Sequence, residues 1–423
     1  MGQVRKCPLF RRGSVHMRRV SDFLFLAVFL FVLGASQAIL GRTEKARPEK
    51  VYRIVYEIKP NQWYIEQAEL WKKEIEKNPK DPEAWYNYYN ANRYAHFEEI
   101  NTEDKRAKLD RIIEDMGKAI PGTYEYYLLK YWDTYDIQDI SLLEEAHRLK
   151  PDRPDPYYPF ITHYEVNGQE EKVQEYCERL YESKDIAPWL IDYNYNVLMS
   201  TEENAILFTN GDNDTYPAWI LQNVHGIRED VTVLNIPLSP TQSYCERKLK
   251  RKAVTIDCDE LKQRAMTHER DTARGFQMGK FVLELSKALA KNNPDIPIYF
   301  ALTVSEEHIE AIKNDLYIVG LAYQYSPNGV DNLAILRKNL EKKFRLDHLE
   351  FDWYSEDYPG TRVKNRMRMN YVAPMIMLAE HYKTSGEDEK AEEWKDRALD
   401  IVEKTGDTKL MESVVKTFGE KGL

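Results

Sequence analysis

Asp212, Asn213 and Asp214 stand in the run NGDND at residues 210–214, and Asn235 and Ser305 each follow or end an apolar run further on. Two carboxylates two residues apart are oxygen donors of the kind that Mg²⁺ and Ca²⁺ prefer. With neighbouring amides and a hydroxyl they could also grip a sugar or phosphosugar through hydrogen bonds alone. The rival reading is a polar turn whose aspartates cap the following helix. Both readings stand on the residues. The candidate ligand-binding set is Asn210, Asp212, Asn213, Asp214, Asn235 and Ser305. No residue is assigned as catalytic or metal-ligating, and no cofactor is expected. His268, His308 and His381 are isolated, and the alternation Arg362, Lys364, Arg366, Arg368 reads as a solvated helix face. No serine-hydrolase elbow, zinc-protease motif, phosphate-binding glycine loop or Rossmann fingerprint occurs.

The elements around the NGDND run follow from its flanks. Residues 205–209 are uncharged and apolar, enough for one buried strand. Residues 215–224 have the makings of a helix, with Trp219, Ile220 and Val224 on one face, Pro217 in its first turn and Gly226 beyond its end. Residues 231–236 (VTVLNI) read as a second strand, parallel to the first across a right-handed crossover. Ligands gather at the carboxyl ends of such strands. Residues 298–304 and 317–325 are two more strand candidates, and residues 253–256 a small edge strand. Thr303, Val304 and Ser305 end the third strand. A Ser there either joins the acidic loop or caps the next helix.

Residues 61–195 read as helical hairpins. Pro82, Pro121, Pro154 and Pro188 recur at a period near 34, with Trp or Tyr early in each unit. That resembles tetratricopeptide repeats in degenerate form, with Tyr89 where a small residue usually stands. Residues 361–423 return to helix. The expected fold is therefore α/β and all-α: tetratricopeptide-like hairpins at 61–200, a central α/β layer with a mostly parallel sheet at 201–345, and a repeat-like hairpin at 361–423. Residues 39–60 are expected as a linker.

The formal charge of −10 conceals an asymmetry: the first 38 residues carry a net +5, so the rest is near −15. An acidic body argues against nucleic-acid binding, which requires a basic surface. The uncharged run at residues 23–33 follows Arg18 and Arg19 and precedes Ser36-Gln37-Ala38. Basic start, short apolar core and small residues describe a secretory signal at residues 1–38, with an uncleaved membrane anchor as the alternative. The chain is then expected in the periplasm or on the outer face of the inner membrane. In such an oxidising compartment Cys245 and Cys258 could pair; the alternative leaves them, with Cys177, as free buried thiols.

The stretch LFTNGDNDTYPAWILQNVHGIREDVTVLNIPL resembles the signature of a bacterial multi-pass membrane protein family of unknown function. That family is grouped with protein O-mannosyltransferases and the GT-C glycosyltransferase superfamily. The resemblance continues through PIYFALTV at 297–304, LYIVGLAYQYSP at 316–327 and the helices from Asn370. It implies the family's extramembrane portion. The superfamily's catalytic acid lies in a loop between membrane helices that this sequence does not contain, so no transferase activity is carried over. The expected function is an exported, non-enzymatic scaffold that binds a protein or peptide through its helical repeats and associates with envelope membrane proteins. The alternative is a ligand-binding or catalytic α/β domain acting on a sugar or phosphosugar through the NGDND loop. The leader reading predicts a mature chain that starts near Ile39. N-terminal sequencing of the membrane-free fraction checks this; an intact leader confined to membranes would identify an anchor.

Overall fold

The computed structural model describes residues 47–134, 136–266, 275–351, 357–406 and 411. The expected leader, the first part of the expected linker, His268 and the end of the expected C-terminal hairpin lie outside them. The chain divides into two compact units, one spanning residues 45–364 and the other including residues 365–411. Among the described residues no helix is long and apolar enough to cross a membrane.

The larger unit opens with eight helices: α1 (Asn61–Lys77), α2 (Pro82–Tyr94), α3 (Glu103–Ala119), α4 (Tyr124–Thr134), α5 (Ser141–Leu149), α6 (Tyr157–Asn167), α7 (Glu170–Glu182) and α8 (Pro188–Met199). α1 packs on α2, α4 on α5 and α6 on α7, as successive hairpins. The prolines act as expected of residues without an N–H. Pro82 and Pro188 open α2 and α8 at the first helical position, and Pro121 and Pro154 lie between helices. Asp81 caps α2 through the amides of Glu83 and Ala84. Tyr89 is fully buried among Ile112, Met116 and Leu129, so a large ring fills the place where a repeat helix normally admits a small residue.

A five-stranded sheet follows: β1 (Ile206–Thr209), β2 (Thr232–Asn235), β3 (Ile298–Ala301), β4 (Leu316–Ile318) and β5 (Ala322–Tyr325), in the order β2-β1-β3-β5-β4. β1 runs parallel to β2 and β3, whereas β5 is antiparallel to β3 and to β4. The sheet is therefore mixed, with β2, β1, β3 and β4 running the same way and β5 alone reversed. The single strand expected at 317–325 is two strands, because Gly320 turns the chain at φ +146°. A side chain there would clash with Phe344 and with Ser200, whose hydroxyl accepts from the Leu321 amide. Residues 253–256 form no strand; Ala253 sits at φ +55° after the helix α10 (Gln242–Lys250). In the centre, Phe208 and Phe300 stack with centroids 4.7 Å apart. β1–β3 are buried throughout, as strands covered on both faces must be.

The boundary expected at 200/201 does not divide compact units. α8 carries the junction through buried asparagines. Asn196 exchanges two hydrogen bonds with the backbone of Arg345, each of 2.7 Å. Residues 47–60 also differ from the expected linker. Val51 is completely buried, and its amide donates to Asn87 on α2.

In the smaller unit, α14 (Val372–Thr384) and α15 (Asp388–Thr405) form a hairpin turned by Gly386, with α11 (Cys258–Arg264), α12 (Met278–Asn292) and α13 (Asn332–Lys338) numbered before them in the larger unit. Pro374 falls in the first turn of α14, where its missing N–H has no helical partner to lose. Arg368 is buried, against the expected solvated face, whereas Arg362 and Arg366 are exposed.

One ionisable pair between α3 and α4 carries a pH dependence. Burial first, then a hydrogen bond shared with Asp110, pushes the Asp133 carboxyl up to about 6. Its folded value lies above its unfolded value near 4. The stabilising contribution is thus complete below pH ~4 and is lost as pH rises through about 6. Asp133→Asn should leave stability at pH 4 nearly unchanged and raise it at pH 8 by about 1 kcal/mol, discounted for solvent screening. Urea melts at the two pH values check this.

Candidate functional site

β1 ends at Thr209 and the chain turns through Asn210 and Gly211 into α9 (Asp212–Asn223). A helix start leaves N–H groups without helical partners. Asp214, in the first turn and 2% exposed, reaches back to them: the Asn210 amide donates to Oδ2 and the Gly211 amide to Oδ1, both at 2.7 Å. The Thr303 hydroxyl, just beyond β3, donates to the same carboxylate. Burial raises the Asp214 carboxyl, and these three hydrogen bonds oppose that rise. Asp214 is a structural anchor with both oxygens engaged.

Pro217 lies inside α9 and not in its first turn, because the helix begins three residues before the expected start. Proline cannot donate to the carbonyl four residues earlier, that of Asn213. The buried Asn194 of α8 supplies the missing donor, from Nδ2 to Asn213 O at 2.8 Å. Helix α8 is thereby bonded to the very residue that the proline leaves short.

Asp212 and Asn213 face a segment that sequence reasoning treated as a linker. Arg53 Nη2 lies 3.4 Å from Asp212 Oδ2, and Asn213 Nδ2 donates to Val55 O at 3.2 Å. The Asp212 side chain keeps 38% of its surface while Arg53 keeps 11%. Protein surrounds the carboxylate densely without closing over it. Burial raises the Asp212 carboxyl and Arg53 opposes the rise.

Asn235 ends β2 directly beside Thr209 in the parallel register. It joins a buried chain of hydroxyls: Asn235 Nδ2 donates to Thr215 Oγ1 at 3.0 Å, and Thr215 lies 2.8 Å from Thr209 Oγ1. Its own Oδ1 accepts from the Leu238 amide and its amide donates to the Tyr244 hydroxyl. Asn210 contributes its backbone amide. Ser305 precedes a short helical turn at Glu306–Ile309, and Thr303 is the hydroxyl that reaches the loop instead. Five of the six candidate residues therefore converge, and their polar atoms serve mainly to bond the loop. The hydroxyl expected from the end of the third strand comes from Thr303 and not from Ser305, and what the residues did not signal was Arg53, in a stretch without helical or strand period.

Cys245 on α10 and Cys258 on α11 form a disulfide across a separation of 13, and Cys177 is a buried free thiol whose ionisation burial disfavours. Beside it in space, the buried Lys248 of α10 meets Glu165 of α6 at 3.0 Å. Two further features stand apart from the acidic loop. His96, Glu98 and Glu99 converge at an exposed turn. A cavity of about 270 Å³ opens between α1, α2 and α3 over Trp85 and Tyr88, and no candidate residue lines it.

These contacts separate the two aspartates. Asp214→Ala strands two loop amides and should cost about 2–3 kcal/mol. Asp212→Ala breaks one partly solvated ion pair and should cost about 1 kcal/mol. With both Asp214 oxygens engaged, Mg²⁺, Ca²⁺ and Mn²⁺ should leave the melting temperature of the wild type unchanged. Melting of the three proteins with and without each cation checks this; a cation-dependent rise lost in Asp212→Ala would reverse it.

Residues 190–274 match the family described as TMEM260-associated domain 2. That match covers α8, β1, α9, β2, α10 and α11, the elements that build and brace the acidic loop. No curated protein matches the chain. Among solved structures the chain is similar to yeast Tom70, with TM-score 0.29 and 11% identity, over 100% of this chain and 77% of that one. It is also similar to the human IFIT1 dimer with PPP-AAAA, with TM-score 0.26 and 14% identity, over 81% of this chain and 69% of that one. An IFIT1 monomeric mutant with Gppp-AAAA gives TM-score 0.27 and 13% identity, over 80% of this chain and 67% of that one. Likeness at this level says nothing of ligand or partner.

Proposed function

We propose that the chain is an exported protein-interaction scaffold of the cell envelope, without catalysis of its own. One observation carries the reading. The hairpin of α1 and α2 holds a stretch of backbone that is neither helix nor strand by side chains: Gln67, Trp71 and Asn87 bond the backbone of Glu49 and Val51. Stacked helical hairpins present continuous surfaces suited to extended segments. The commitment of Asp214 to the loop amides, Asn213 to the Val55 carbonyl and Asn235 to Thr215 supports a structural acidic loop over a reaction centre.

Export is supported by the basic–apolar–small pattern of residues 1–38 and by the Cys245–Cys258 disulfide, a bond that persists in oxidising compartments. Association with membrane proteins of the envelope is supported by the family match over residues 190–274. The relation to bacterial proteins grouped with O-mannosyltransferases belongs to the same proposal and rests on the motif around NGDND.

Cross-linking mass spectrometry on the full chain expressed with its leader tests the reading. The chain should be recovered from the exported fraction, with Cys245 and Cys258 resistant to alkylation before reduction. Lysines of α1 and α3, such as Lys72 and Lys108, should cross-link to a second protein. Recovery in the reducing cytoplasm, or cross-links confined to the chain itself, would overturn it.

A further inference from the structure

The segment at residues 47–59 is bound to the rest of the larger unit as a peptide is bound to a receptor. Glu49 is held at both ends of its peptide group: its amide donates to Gln67 Oε1 at 2.7 Å and its carbonyl accepts from Trp71 Nε1 at 2.8 Å. Two residues on, the Val51 amide donates to Asn87 Oδ1 at 2.7 Å, and the Val51 side chain is fully buried against Tyr64, Ala91 and Tyr94. Two residues further, the Arg53 guanidinium lies 5.0 Å from the ring centroids of both Trp132 and Tyr158 and pairs with Asp212. The chain then turns, with the Tyr56 amide donating to Arg53 O at 2.9 Å. The Tyr56 hydroxyl meets Asp185 and the Tyr158 hydroxyl. Alternate backbone amides held by helix side chains, with an apolar pocket, an aromatic cage and a carboxylate for successive side chains, are the parts of sequence-selective peptide recognition.

The lock is incomplete. Arg53 meets Asp212 through one nitrogen at 3.4 Å, whereas a bidentate pair is the strong geometry. Its Nη1 is buried with no hydrogen-bond partner, as is Asn90 Nδ2 one turn after Tyr86 on α2. Asp212 remains open to solvent at the same place.

We propose that the groove formed by Gln67, Asn87, Trp132, Tyr158, Asp185 and Asp212 is a peptide-binding site. Residues 47–59 occupy it in cis, and a partner segment carrying an aliphatic residue, Arg two positions on and Tyr five positions on replaces them. This rests on the scaffold reading and narrows it to one surface and one ligand chemistry. The acidic body suits the cationic side chain of such a ligand.

The probe is a fluorescein-labelled peptide of residues 47–59, followed by anisotropy on the full chain. Strap changes Val51→Ala with Arg53→Ala leave the groove itself intact. The doubly changed protein should bind the peptide at least 10-fold more tightly than the wild type. Adding Asp212→Asn, or replacing by Ala the peptide's Arg that corresponds to Arg53, should weaken that binding at least 10-fold. A folded double variant that does not bind the peptide, or binds it without preference for Arg, would overturn the proposal. Hydrogen exchange on the wild type gives an answer even if that variant fails to fold. The Glu49 and Val51 amides should exchange by local opening, at least 10-fold faster than the core amides of α2. Exchange at the same rate as α2 would make the strap a fixed part of the core and overturn displacement. Failure of the peptide with persistent cross-links from α1 and α3 would sink this site alone and leave the scaffold reading standing.

Discussion

The start of α9 is a helix N-terminus placed inside protein, and the unit is built around satisfying it. Two loop amides point at Asp214, the Thr303 hydroxyl joins them, and Asn194 replaces the donor that Pro217 lacks. Each of these groups, left unmet, would cost about 1–3 kcal/mol. The four partners come from α8, α9, the β1–α9 turn and the segment after β3. No one of these can move without stranding a polar group on another. The acidic run is thus explained by electrostatic and hydrogen-bonding demand at a buried turn, before any ligand is invoked.

The same demand accounts for the continuity of helical hairpins and sheet. Asparagines on α8 look both ways, Asn194 to α9 and Asn196 to Arg345. The buried Glu165–Lys248 pair ties α6 to α10. Such a pair contributes little net stability against an apolar equivalent, but it is costly to break on one side. It therefore fixes which helix faces which. The hairpins are locked to the α/β layer by directional polar contacts.

Much of this was legible in the residues. Apolar runs located β1, β2 and β3, prolines located the helix openings, and the NGDND turn located the loop. What was not legible had physical causes. Gly320 in an otherwise strand-like run was the signal for a hairpin, outweighed by the β-branched and aromatic residues around it. Pro217 suggested a first turn, because the buried Asn194 that makes an interior proline tolerable lies 19 residues before Asn213 and follows no local rule. Residues 47–60 lack periodicity, since their backbone is satisfied by side chains of other elements and not by a ladder of their own. Asn210, Asp212, Asn213, Asp214 and Asn235 lie on one loop and the strand end beside it, as the strand–loop–helix–strand order places them. Their roles depend on partners distant in sequence, such as Arg53 and Thr303.

The strap also sets an order of events. Val51 meets Asn87 only 36 residues later, but Arg53 meets Asp212 across 159 residues. At ~5–20 residues per second of synthesis, the anchor for the guanidinium emerges roughly 8–30 s after the guanidinium itself. During that interval α1 and α2 can close on one another and on Val51, and Trp132 and Tyr158 emerge, while the Asp212 carboxylate does not yet exist. The first residues of the larger unit are therefore among the last to be secured. A nascent chain held before residue 212 would carry its strap half-docked, with Arg53 lacking its carboxylate and free to engage whatever anionic surface it meets first.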